Sequence, residues 1–124
     1  MAMKTAINAQ HHITGVPYSS AVMAGGLCFI SGQFGTDAEN HPIGDVEEQT
    51  TIALDHLEEV LLRADLSLED VVRITVWLRD LDDFEAMNRA YRGRFPAPPP
   101  ARVTVQAAGL LFGAAVEIDA VAAS

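Results

Sequence analysis

The stretch Val71-Val72-Arg73-Ile74-Thr75-Val76-Trp77-Leu78 decides the fold class. It is β-branched and aromatic, with Val72, Ile74, Val76 and Leu78 on one side and Val71, Arg73, Thr75 and Trp77 on the other. Apolar residues on both sides predict a mostly buried strand. It lies between two segments of helical period. Upstream, Val46, Thr50, Ala53, Leu54, Leu57, Val60, Leu61 and Ala64 recur at helical spacing, and Asp45 followed by Glu48 resembles a capping box, so helix one is expected over Asp45 to Ala64. Downstream, Asp80 is placed to cap a second helix with Asp83 at its third position. Phe84, Met87, Tyr91 and Phe95 form its apolar stripe, and the prolines 96, 98, 99 and 100 end it.

Working outward, Ser20 to Ser31 reads as a β-hairpin around Gly25 and Gly26, a pair suited to the positive φ of a tight turn. Gly32 to Gly44, with Asp37, Asn40 and Pro42, reads as a surface loop. Ala101 to Ala107 and Ala115 to Ala122 read as two further strands joined by the apolar linker Ala108 to Ala114. The order strand, strand, helix, strand, helix, strand, strand implies an α+β fold, with both helices on one face of a single sheet. With no internal repeat or linker, one domain is expected over residues 1–124. Its other sheet face lacks a layer of its own, and Leu110, Leu111 and Phe112 stand in succession, so a homo-oligomer is expected.

Composition narrows the function. At 124 residues, 49% hydrophobic and 20% charged, the chain has the make-up of a packed domain rather than a disordered one. A formal charge of -9 disfavours nucleic acid and anionic membrane as partners. The lone Cys28 excludes an intrachain disulfide and a Cys-rich metal framework, and it reads as core filling. Met1 to His12 lacks the apolar core of a secretory signal, so the cytoplasm is the expected compartment. The uncharged run Val103 to Val116 is broken by Gln106 and two glycines and falls short of the roughly 20 residues that span a bilayer.

Two charges stand out. Arg102 lies in an otherwise apolar strand on the side of Thr104 and Gln106, and burying it unpaired is costly. Glu117 shares the opposite face of the last strand from Val116, Ile118 and Ala120. A hairpin between these strands would join the two charges, either as a structural pair or as a site where guanidinium holds an anion and carboxylate handles water and protons. The histidines offer less: His11 and His12 point to opposite sides of an extended segment, and His41 and His56 fall in a loop and a helix, which lends a metal site only weak support. Glu47, Asp55, Glu58 and Glu59 read as the solvated face of helix one.

Pro17-Tyr18-Ser19, Ile30-Ser31-Gly32-Gln33, the set Phe84, Asn88, Tyr91 and Phe95, Pro100-Ala101-Arg102 and Val116-Glu117-Ile118-Asp119-Ala120 together resemble the reactive intermediate deaminase (Rid, or YjgF) family. The resemblance spans nearly the whole chain, and the Pro-Ala-Arg and Val-Glu-Ile-Asp-Ala elements are its most specific parts. It implies a chorismate-mutase-like α+β fold assembled as a homotrimer with sites in the clefts between subunits. It further implies hydrolysis of 2-imino or 2-enamino acids to 2-keto acids and ammonia, with no cofactor and no metal.

Residue by residue, Arg102 resembles the arginine that grips the substrate carboxylate, and Glu117 the glutamate that activates water. Tyr18 resembles the tyrosine bordering the cleft, and Asn88 an asparagine that orders the site. Ser31 and Gly32 match a segment whose backbone lies beside the ligand. Thr104 stands where many members have cysteine and is expected to act through its backbone. Two departures, the short Phe95 to Pro100 segment and Leu111 where Leu-Pro is often found, lie near the expected cleft and bear on substrate size. A binding module for a small carboxylated metabolite is the alternative. Ribonuclease, ascribed to some relatives, is disfavoured by the charge and by the lack of a paired-histidine acid-base motif.

Overall fold

The computed structural model describes residues 3–124. Its strands and helices are β1 (Thr5–Ile7), β2 (Ala21–Ala24), β3 (Leu27–Phe34), α1 (Val46–Arg63), β4 (Val71–Leu78), α2 (Phe84–Tyr91), β5 (Ala101–Gln106) and β6 (Val116–Ala123). The six strands form one sheet in the order β1-β2-β3-β6-β4-β5, in which only β4 and β5 run parallel. Asp45 caps α1, its carboxylate accepting the Glu48 N–H at 3.0 Å. All the apolar positions predicted for α1 up to Leu61 are buried. Leu54, Leu57, Val60 and Leu61 pack with Ile74, Val76, Val116 and Ile118 into a core with no solvent access, each large side chain worth about 1.5–3 kcal/mol of burial. Met87 of α2 joins the same core. Both helices thus cover one face, as the α+β reading requires.

Four local expectations need correction. Residues 32–34 belong to β3 rather than to a loop: the register shifts between Ile30 and Gln33, and that irregularity lets a glycine-containing segment continue the strand. A second shift between Val71 and Arg73 sends Val71 into the core and leaves Val72 exposed, reversing the predicted sides at the start of β4. Asp80 caps a 3-10 turn, Leu81–Asp83, instead of α2 itself. The short strand β1 was not anticipated.

The remaining correction decides the site. β5 and β6 do not form a hairpin, because β4 lies between them, parallel to β5 and antiparallel to β6. The opposite sheet face carries Leu27 (37% exposed), Phe29 (46%) and Val103 (40%) with no layer over them.

Candidate functional site

A cleft of about 900 Å³ opens along the second half of β3. β2 pairs with β3 as far as Ile30, and the Ser31 N–H donates to the Ser20 carbonyl at 2.9 Å, so residues 32–34 have β6 on one side and an open edge on the other. The segment 10–18 arches past that edge, and the turn Leu111–Gly113 contributes Leu111 and Phe112 to the wall. The arch is pinned by its own polar groups. The Ile13 N–H donates to the Tyr18 hydroxyl at 2.8 Å, His12 stacks on the Tyr18 ring at 4.4 Å, and the His12 Nε2 meets the Tyr18 carbonyl at 2.8 Å. Ser31 is held within the chain: its hydroxyl donates to the Ser19 carbonyl at 2.7 Å, its N–H to the Ser20 carbonyl at 2.9 Å, and its carbonyl accepts from Gln33 Nε2 at 2.9 Å.

Glu117 enters this cleft beside Gly32. A Cβ at position 32 would collide with the Glu117 carboxylate, so glycine is what lets the acid lie over the strand. Burial, aided by the negative charge of Asp119, pushes the Glu117 carboxyl above its ordinary range, as expected of a group meant to exchange protons. Asp119 is itself held by the Trp77 indole N–H at 2.8 Å. Four of the expected site residues, Tyr18, Ser31, Gly32 and Glu117, therefore meet in one cleft.

Arg102, Asn88 and Thr104 do not line it. Arg102 pairs in register with Ile74, which pairs with Ala120, and both partners are core residues on the helix side. Glu117 pairs with Trp77 and points to the other side, so within one chain the two charges occupy opposite sheet faces and no ion pair forms. Instead the Arg102 guanidinium lies 4.7 Å from the centre of the Tyr91 ring and 5.7 Å from that of Phe84, and Nη1 donates to the Met87 sulfur at 3.9 Å. These aromatic faces hold the planar cation in place without neutralising it. No carboxylate pairs with Arg102 among the described residues. Asn88 sits beside Met87 on α2, 9% exposed, and Thr104 lies one pleat along β5 from Arg102.

The histidines, given little weight in the sequence, come together here. His11 and His56 stack at 4.2 Å on the cleft wall. His11 Nδ1 lies 2.8 Å from Glu59 Oε2, and its Nε2 lies 2.6 Å from Gln33 Oε1. Burial works to raise the Glu59 carboxyl, but hydrogen bonds from His11, the Gln10 N–H and Arg63 outweigh it and hold Glu59 below its usual range. His56 donates Nδ1–H to the Phe34 carbonyl at 3.0 Å, and burial together with His11 lowers its proton affinity. Residue 56 lies more than 40 positions from residue 11, so only the arch could have revealed the pair. Among the described residues no group of three or more His, Cys, Asp or Glu side chains is arranged to hold a metal ion, and no helix is long and apolar enough to cross a membrane.

Comparison with known proteins gives a concordant result. The family model described as Endoribonuclease L-PSP matches residues 9–124. The chain is 42% identical over 123 residues to the mitochondrial protein mmf2 of Schizosaccharomyces pombe, covering 97% of this chain and 98% of that one. It is 40% identical over 108 residues to the chloroplastic Reactive Intermediate Deaminase A of Arabidopsis thaliana, covering 86% of this chain and 58% of that protein. Among solved structures, E. coli TdcF with bound serine superposes with a TM-score of 0.88 at 30% identity, covering 97% of this chain and 98% of that one.

Proposed function

The chain belongs to the Rid/YjgF family, which the matching model describes as Endoribonuclease L-PSP, and from that premise we propose that it hydrolyses 2-imino or 2-enamino acids to 2-keto acids and ammonia. The observation that carries this reading is Glu117: a carboxyl of raised proton affinity, laid over Gly32 in a cleft large enough for an amino-acid-sized ligand. The opposite-face placement of Arg102 and the bare apolar sheet face support a homotrimer, in which the arginine of one subunit faces the Glu117 cleft of its neighbour. The free Cys28 suits a reducing compartment and the cytoplasm remains the proposed one, although the mmf2 relative carries a mitochondrial name.

In this scheme Arg102 takes the substrate carboxylate on its two-donor fork and fixes the imine carbon against the neighbouring cleft. The ionised Glu117 accepts a proton from water as its oxygen bonds to that carbon. That proton passes on to nitrogen to give the carbinolamine, whose hydroxyl proton then moves to nitrogen through the same carboxylate, so that the C–N bond breaks, ammonia leaves and the carbonyl forms. The reaction consumes one water and regenerates the carboxylate. Asn88 and the backbone at Thr104 help shape the arginine side, while Tyr18, Ser31 and Gly32 border the acid side.

The test is to generate an imine in situ from serine or threonine with a pyridoxal-phosphate dehydratase and follow keto acid release. Acceleration by the wild-type protein, lost in Glu117→Gln, is the expected result. Tight binding of keto acid with no acceleration would instead favour a carboxylate-binding module. For ribonuclease, the stacked His11 and His56 mean that a histidine pair is present after all. The net charge of -9 still opposes a polyanionic substrate.

A further inference from the structure

His56 is fixed in one protonation pattern by its surroundings. The Phe34 carbonyl can only accept, so His56 Nδ1 carries the hydrogen of that 3.0 Å bond. On its other side lies His11, whose ring is held in turn. Gln33 donates its Nε2 to the Ser31 carbonyl at 2.9 Å, which turns its Oε1 toward His11 Nε2. The Glu59 carboxylate accepts at His11 Nδ1. Both His11 nitrogens are thus held, one by Glu59 and the other by Gln33. Partial burial, with the His11 ring stacked 4.2 Å away, disfavours a second proton on His56. His56 Nε2 is then a lone pair. It has no hydrogen-bond partner among the described residues, it is not sealed from solvent, and its residue lines the cleft.

The position of that lone pair relates it to the reacting end. Phe34, whose carbonyl holds His56, is the register partner of Glu117. Glu117 and His56 line the same cleft, Glu117 from the sheet face away from the helices and His56 from α1, so a ligand that spans it around the open edge of β3 with its reacting carbon at Glu117 has its distal end at His56. The cleft lining includes two aromatic pairs, His12 on Tyr18 and Phe34 edge-on to Phe112 at 5.3 Å, surfaces that suit a flat group. We infer that His56 is a specificity residue of the cleft, whose Nε2 accepts a hydrogen bond from the distal end of the substrate and selects imino acids carrying a planar side chain with an N–H donor. This rests on the hydrolytic reading above and adds the substrate class to it.

The experiment compares two keto acids of the same shape as product ligands: the indolyl acid, which has a ring N–H, and its benzothiophene isostere, in which sulfur replaces that group. Wild-type protein is expected to bind the indolyl acid about fivefold to tenfold more tightly, the worth of one hydrogen bond made in a partly desolvated site. His56→Asn keeps an N–H for the Phe34 carbonyl and lacks the Nε2 acceptor, and it is expected to bind both acids equally. A second measurement needs no variant. As pH falls, His56 gains a proton on Nε2 and turns from acceptor to donor, so the indolyl preference is expected to vanish below the ordinary histidine range, where His11 and the facing carboxylates of Glu59 and Asp55 set the local charge. Equal wild-type affinities, or a preference that survives both His56→Asn and acid, overturn the inference. Imine hydrolysis is followed in parallel. Absent preference with hydrolysis intact strikes His56 alone, whereas a kept preference without hydrolysis strikes the catalytic reading alone.

Discussion

Arg102 and Glu117 project from opposite faces of one sheet, with β4 between their strands. In the proposed trimer the two cooperate across a subunit boundary, one subunit offering the guanidinium and its neighbour the carboxylate. The two residues are prepared differently. Arg102 is oriented by aromatic rings that leave its charge available, and Glu117 is desolvated so that its proton affinity rises.

Arg102→Lys tests the arginine. Lysine retains the charge but loses the planar stack on Tyr91 and the two parallel donors to a carboxylate. The expected loss in kcat/KM is about thirty-fold to a thousand-fold, on the order of 2–4 kcal/mol of transition-state stabilisation. Because no carboxylate among the described residues pairs with Arg102, the melting temperature should move by only a few degrees. A destabilised but fully active variant, measured on the same preparation, contradicts the assignment.

The pH profile tests the glutamate. Glu117 must be ionised to accept a proton, and burial raises its pKa, so the rate should fall as pH drops through a value above the ordinary glutamate figure of about 4.3. The same shift makes the buried carboxylate a cost to the folded state, one that is relieved on acidification as Glu117 takes a proton. Activity is thus expected to fall in mild acid before the fold does. Glu117→Gln should abolish that acid limb together with most of the turnover, and an unchanged limb in the variant would assign it to another group.

Two glycines separate site from scaffold. At Gly32 an added methyl meets the Glu117 carboxylate, a side chain able to turn away, so Gly32→Ala should fold, assemble and lose at least tenfold in rate. At Gly35 the methyl meets the backbone of Gln49 in α1, which cannot yield, and Gly35→Ala should cost about 1–3 kcal/mol or more in stability. Thermal melts and turnover assays on both variants check the contrast. Equal effects on stability would mean that Gly32 is a folding glycine.

The sequence made some of this legible and hid the rest for physical reasons. α1 is regular and amphipathic, so its period names its buried face and nearly its ends, and the alternation of β4 names its faces from Ile74 onward. Tyr18, Ser31, Gly32 and Glu117 are recognisable as motif members and do meet in one cleft. Local patterns cannot reveal strand order, however. β5 and β6 are consecutive, and nothing in either announces that β4 runs between them, which is why a hairpin pairing of Arg102 with Glu117 was expected. The two register shifts were equally hidden, since a bulge leaves the alternation on both sides intact. The His11, His56, Glu59 and Gln33 cluster depends on contacts between residues far apart in the chain, and Glu59 had the appearance of ordinary helix surface.

Mixing two inactive variants tests the central claim most directly. Arg102→Ala and Glu117→Ala each lack half of the proposed site, and each alone should be a trimer by light scattering with no measurable imine hydrolysis. Dissociated and reassembled together at equal amounts, they should regain activity, because about a quarter of the subunit boundaries then join an intact arginine to an intact glutamate. Recovery near a quarter of the wild-type rate is the predicted result. A mixed assembly, verified as a heteromer, that stays inactive while wild-type protein treated in the same way hydrolyses the imine would contradict a site shared between Arg102 and Glu117.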